Sequence, residues 1–225
     1  MQAPKQRSAP RTQAERRTLL YLMIFSAAGL AILGALIAYV ALGSGGGDST
    51  AGTGPGGTLI NAEDCVERSY RGLAPKHLGS PDAKVEYNSF PPSSGPHYQS
   101  AAPWGIYEEP IKQTILVHNL EHGGIIIQYG DVGSEAIDDL RAFYQDDPNG
   151  LVVAPYPALG KKIALTAWNE PRYEQEGEFE NVDPGRGYVL TCSKFDSKAF
   201  AKFRDARRNK AGERYTSVTD MAPGN

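Results

Sequence analysis

The sequence predicts an α+β fold: a single N-terminal transmembrane helix, then one compact extracytoplasmic domain with a small, mostly antiparallel sheet and two helices. Three observations predict it. Leu19–Leu42 runs for 24 residues without a charge, enough to cross a hydrocarbon core of ~30 Å at ~1.5 Å per residue. Further along, short β-branched runs recur between turn residues, as strands do. Two capped helical patterns stand apart from those runs, and helices segregated among short strands are the α+β arrangement.

Residues 1–18 form a basic cytoplasmic tail, with Lys5, Arg7, Arg11, Arg16 and Arg17 against Glu15. A positive flank stays inside, so the chain after residues 19–42 is sent across the membrane. The apolar run exceeds the ~7–15 residues of a signal-peptide core and reads as an uncleaved anchor in the lipid bilayer. Residues 43–57 (GSGGGDSTAGTGPGG) have no apolar periodicity and read as a flexible linker. Residues 58–225 remain, suited to one domain. The chain's net charge is −3, and a tail with five bases and one acid leaves −7 on the rest. An acidic exported domain is a poor nucleic-acid binder, so no nucleic acid is expected as a partner.

Within the domain, Lys84–Tyr87 alternates like a short strand. The next stretch, Asn88 to Tyr98, holds three prolines and a glycine and reads as a stiff irregular loop. Ile115–His118 and Gly124–Tyr129 read as buried strands flanking a turn. Ser134 caps a helix running through Asp146, with Ile137, Leu140 and Tyr144 on one face and Pro148-Asn149-Gly150 ending it. Leu151–Ala154, Lys162–Trp168 and Gly187–Cys192 read as strands. Asp196 caps the last helix, with Phe195 and Phe200 placed as a hydrophobic staple. Cys65 and Cys192, the two cysteines of an exported chain, read as a disulfide. The alternative is a pair of soft metal ligands or a redox couple, disfavoured by the wide separation and the absence of C-x-x-C.

The chemistry concentrates in Leu116–Gly124, where His118 and His122 stand four apart with Glu121 between. The chain has four histidines. A neutral imidazole is the commonest protein metal ligand, and the proline loop supplies His97 as a third. Three imidazoles make the metal site His97, His118 and His122, with copper or zinc as the cofactor. Met221, in the tail, is an extra thioether ligand that would favour Cu(I). His77, in a lysine-flanked loop, is expected to be solvent-exposed. A structural role is the competing account of the histidines, with Glu121 pairing His97 or fixing a tautomer.

The blocks PPSSGPHY (Pro91–Tyr98), WGIYEEP (Trp104–Pro110), LVHNLEHGGIIIQY (Leu116–Tyr129) and ALTAW (Ala164–Trp168) resemble the bacterial family known as domain of unknown function 3105. The resemblance covers about Val85 to Arg208. It implies a single-pass or exported envelope protein and names no reaction. The acidic stretch Glu170–Asp183 and the two cysteines depart from the family pattern.

Three functions follow. The first is a membrane-anchored, non-catalytic extracytoplasmic module that binds Cu or Zn. The second is a cell-envelope interaction domain with structural histidines, in which some of Tyr87, Phe90, Tyr98, Trp104, Tyr107 and Trp168 line a ligand groove. The third is a zinc-dependent hydrolase with Glu121 as base, since His118–His122 spells the H-x-x-E-H of inverted zinc peptidases. That string belongs on a helix, and the strand-like flanks speak against it; its third ligand would come from Glu170–Glu180. Separately, Lys194, Lys198, Lys202, Arg204, Arg207, Arg208 and Lys210 crowd the last helix, a basic face that suits an anionic membrane surface.

Overall fold

The alternating apolar runs of the sequence assemble into a seven-stranded sheet covered on both faces. The computed structural model describes residues 60–62, 64–170 and 183–225, all within one compact unit, Thr50–Asn225. The tail, the apolar segment at 19–42, the linker and most of the acidic stretch lie outside the described residues. No helix among the described residues is long and apolar enough to cross a membrane.

The strands are β1 (Ile60–Ala62), β2 (Cys65–Arg71), β3 (Lys76–Leu78), β4 (Pro96–Tyr98), β5 (Gly105–Ile106), β6 (Ile125–Tyr129), β7 (Leu151–Pro155), β8 (Ile163–Asn169) and β9 (Arg186–Cys192). The large sheet has the order β1-β2-β9-β8-β6-β7-β5, and β3 and β4 form a separate pair. The four ladders from β1 to β6 are antiparallel, and those joining β6, β7 and β5 are parallel. The helices are α1 (Gln113–Glu121), α2 (Ser134–Asp146) and α3 (Ser197–Arg207).

Successive strand residues point to opposite faces, and here both faces are apolar. Ile125, Ile127, Leu151, Val153, Ile163 and Leu165 pack with Leu140, Phe143, Phe200 and Phe203 of α2 and α3. Their alternates Ile126, Val152, Ala154 and Trp168 pack with Leu116, Val117 and Leu120 of α1. This is why β6 and β7 read as unbroken apolar runs. Burial on both sides makes their register insensitive to neither face.

The α2 bounds agree with the sequence, although the cap is Gly133 and makes no side-chain bond. Asp196 caps α3 by accepting from the amides of Lys198 and Ala199, both at 3.0 Å. The Phe195 and Phe200 rings meet at 5.0 Å, as a staple requires. Cys65 and Cys192 are bonded, and they face each other directly across β2 and β9.

Three further expectations fail. Lys84–Tyr87 keeps an alternating exposure but joins no ladder. Pro96–Tyr98, placed in an irregular loop, pairs in parallel with Lys76–Leu78. Proline opens this strand, a position that tolerates a missing donor. Ile115–His118 belongs to a third helix, α1, rather than to a strand. A nine-residue helix is too short to persist alone, so packing of Leu116, Val117 and Leu120 overrides the β-branched bias of Ile115 and Val117. Its C-terminal end is a Schellman arrangement: Gly123 N–H donates to Leu120 O and Gly124 N–H to Asn119 O, both at 2.9 Å, with Gly123 at φ +85°.

Candidate metal centre

Two segments on the α1 face bring the histidines together. The proline loop is held from inside: Ser93 and Ser94 are fully buried, and Ser94 Oγ accepts from the Leu73 amide at 3.1 Å. Tyr87 donates its hydroxyl to Pro96 O at 2.7 Å. Burial pushes that phenol up to about 12, so it stays a donor. The loop delivers His97, fully buried, to the middle of β4. Its Nδ1 lies 2.8 Å from Gly95 O. A carbonyl only accepts, so Nδ1 carries the hydrogen and Nε2 points inward.

On α1, His118 and His122 lie one turn apart on the same face. Between them Asn119 clamps the helix to the chain at Ala102, accepting from its amide at 2.9 Å and donating to its carbonyl at 2.7 Å. His118 Nδ1 donates to Tyr98 O at 2.7 Å and His122 Nδ1 to Glu213 O at 3.2 Å. All three histidines therefore spend Nδ1–H on a backbone carbonyl, the outer hydrogen bond that fixes the tautomer of a metal-ligating imidazole.

The inward Nε2 atoms meet acceptors. His118 Nε2 and His122 Nε2 are 2.9 Å apart, and His97 Nε2 is 2.8 Å from Glu121 Oε2, both side chains fully buried. Two lone pairs do not face each other at such distances without a proton or a cation between them. At His118 burial, the largest influence, together with the neighbouring His122 and His97, outweighs the Tyr98 bond and lowers the pKa to about 4. That imidazole is neutral near pH 7, and Nε2 is the atom it would offer a metal.

The structure links His97 to His118 and His118 to His122, each pair with ring centroids 4.8 Å apart. It also adds two residues. His77 faces His97 across the β3–β4 ladder, with its ring 5.0 Å from His97 and stacked 5.3 Å from His118. It sits on β3 rather than in a loop, at the solvent-accessible end of the row of histidines. Glu213 lies beside His122. Donor atoms of His77, His97, His118 and Glu121 fall within 4.8 Å of one another, as do those of His118, His122 and Glu213. Either group has the donors to hold a metal ion. No periodicity marks His77 or Glu213, because long-range pairing and a C-terminal loop bring them in.

Met221 is fully buried in the α1-side core, its thioether packed against Gly150. It is a packing residue in this arrangement. The aromatics do not share one groove: Trp104 and Trp168 are core residues, while Tyr87 and Phe90 border a surface depression with Tyr156. On the basic helix, the arginines are engaged internally. Arg204 and Arg208 pair with Asp147, and Arg207 pairs with Glu67 and lies over the Tyr188 ring. Lys198, Lys202 and Lys210 stay exposed.

No curated protein and no solved structure matches the chain. A family model does match, over residues 79–219, a span that includes the proline loop, α1 and Glu213. By that match the chain belongs to the family described as Protein of unknown function (DUF3105).

Proposed function

We propose that the domain binds one transition-metal ion, copper or zinc, and serves as a non-catalytic module for storing, sensing or delivering it. Residues 19–42 would anchor it in the cell membrane with the domain outside, and Lys198, Lys202 and Lys210 would face anionic lipid. The observation that carries the metal reading is the shared orientation of His97, His118 and His122. Each is locked through Nδ1 to a carbonyl, and two of the Nε2 atoms meet at 2.9 Å. Nitrogen and carboxylate donors suit Zn(II) and Cu(II). With Met221 occupied in the core, the case for Cu(I) loses its sulfur.

Full-length protein expressed without a histidine tag, purified in detergent and assayed by elemental analysis is expected to carry about one Cu or Zn per chain. Its melting temperature should rise when that metal is added. Protein that binds neither metal and gains no stability from either would overturn the reading, leaving the histidines structural.

A zinc hydrolase is a second reading, and α1 favours it. The H-x-x-E-H string lies on a helix as far as Glu121, with His122 as its C-cap, and Glu213 completes a two-histidine, one-carboxylate set of the kind catalytic zinc uses. Against it, Glu121 is fully buried on His97 rather than facing a water site. Glu121→Gln discriminates: a carrier keeps both its metal and its function, whereas a hydrolase loses turnover.

A further inference from the structure

Building on the metal-binding reading, we infer that the ion has two alternative positions that share His118. One is a closed site of His77, His97, His118 and Glu121. The other is an open site of His118, His122 and Glu213.

The donor counts separate the two. Four protein donors complete a tetrahedral shell, the pattern of a site that retains its metal. Three leave the shell open to one or more waters, or to a donor from another molecule, so that its coordination number can rise above four, the pattern of a site that exchanges. Burial runs the same way at two of the three residues that the closed site does not share. His97 and Glu121 are fully buried and His77 alone of that set reaches the rim, whereas His122 and Glu213 are both half-buried. A metal arriving from solvent meets two accessible donors at the open site and one at the closed site.

His118 forbids filling both at once. Its Nδ1–H is committed to Tyr98 O at 2.7 Å, so Nε2 is its one available lone pair, and one lone pair ligates one ion. Charge agrees: two divalent ions beside only Glu121 and Glu213 would leave two net positive charges in a largely buried row.

The ligand distances permit movement. A tetrahedral shell with bonds near ~2.1 Å sets its donors about 3.4 Å apart. The donors of each group, spread over as much as 4.8 Å, must draw inward. His118 Nε2 and His122 Nε2, at 2.9 Å, and His97 Nε2 and Glu121 Oε2, at 2.8 Å, must part slightly. Small ring rotations about the carbonyl-anchored Nδ1 atoms of His97, His118 and His122 supply both. The ion then passes between positions by exchanging His122 and Glu213 for His77, His97 and Glu121 while His118 stays bound.

Co(II) tests this, because its visible absorption is strong in tetrahedral sites and weak when water raises the coordination number. Detergent-purified full-length protein should bind one Co(II) with the strong tetrahedral spectrum. His77→Ala and Glu121→Gln should each still bind one Co(II), with several-fold weaker absorption, because the ion is confined to the open site. His122→Ala and Glu213→Gln should keep the strong spectrum and load several-fold more slowly. His118→Ala should lose stoichiometric binding. His77 lies half-buried at the rim, so His77→Ala carries the closed-site arm if Glu121→Gln does not fold. Two tightly bound Co(II) per wild-type chain would overturn the inference. So would loss of all binding in His122→Ala, or an unchanged spectrum and loading rate in both His77→Ala and His122→Ala. Failure of the wild type to bind Co(II), Zn(II) or Cu(II) at all would instead overturn the metal-binding reading, and this inference with it.

Discussion

Beneath α2 and α3, Ile125, Ile127, Val153 and Leu165 meet Leu140, Phe143, Phe200 and Phe203 in an apolar layer. Beneath α1 the alternate residues of the same strands, Ile126, Val152 and Trp168, support a layer in which His97, His118, Asn119 and Glu121 are buried. The first layer is stabilised by area removed from water and tolerates any side chain of suitable shape. The second depends on the contacts of its buried polar atoms, because desolvation without a partner costs more than a hydrogen bond returns. One sheet thus separates a wholly apolar layer from a layer that gathers candidate metal ligands. Variants on the first should change stability and leave metal binding alone; variants on the second should change both.

The largest effect belongs to the apolar side. Cys65 and Cys192 lie in that layer and close a span of 127 residues. Replacing both by alanine should cost about 4–5 kcal/mol in the chain-entropy picture, read as a lower urea midpoint with metal stoichiometry unchanged. Phe200→Ala, at a fully buried ring, should cost about 3–5 kcal/mol, again without altering the metal content of the folded fraction. If Phe200→Ala removes the metal from chains that remain folded, the two layers are not independent.

On the α1 side, His97→Ala strands the Glu121 carboxylate in a site with no exposure. Breaking a buried pair from one side costs about 3–5 kcal/mol. The double variant His97→Ala/Glu121→Ala should therefore lose less than the two single losses combined, a coupling that a double-mutant cycle measures. Strict additivity would mean that the two side chains do not depend on each other.

The same contrast explains how much was legible. The α2–α3 layer is written in local patterns: Ser134–Asp146 has helical periodicity, Asp196 an N-cap position and Phe195/Phe200 staple spacing, and each appears as expected. The residues of the candidate metal centre were legible as types, and His97, His118 and His122 do lie in one row. Their setting was not. Ile115 and Val117 look like strand residues, and tertiary packing overrode that bias. Yet Gly123-Gly124, read as a turn between strands, is a helix-stop signal whose two glycine amides satisfy the last carbonyls of α1. His77 and Glu213 carried no local sign, since one arrives through a three-residue parallel pairing and the other through a loop 91 residues from His122.

Acid should separate the layers by pH window. Burial lowers the His118 pKa to about 4 from the ordinary imidazole value of 6.5. Between those values the unfolded chain binds the proton and the folded one resists it, so stability falls as pH drops from about 6.5 to 4. The full loss is on the order of 3 kcal/mol, and metal affinity falls in the same window because the proton competes for Nε2. Urea midpoints of the metal-free protein measured at pH 7, 5.5 and 4 should show the decline, and His118→Gln should flatten it.

The smallest effect lies at the end of the other layer, where Arg208 makes two bonds to Asp147 at 2.9 and 2.7 Å. Hydrogen bonding from Arg208 is the first cause of a lowered Asp147 pKa, with the charges of Arg208 and Arg204 adding to it. A depressed carboxylate contributes stability that is complete above its unfolded value near ~3.9 and is lost as pH falls through the folded one. The Asp147 window therefore opens where the His118 window closes. The group is partly exposed, so solvent screening holds its worth to about 1 kcal/mol or less. Asp147→Asn should lower the urea midpoint slightly at pH 7 and abolish that difference below about pH 3, while leaving the decline between pH 6.5 and 4 intact. If Asp147→Asn also flattens the higher window, acid sensitivity does not divide along the sheet.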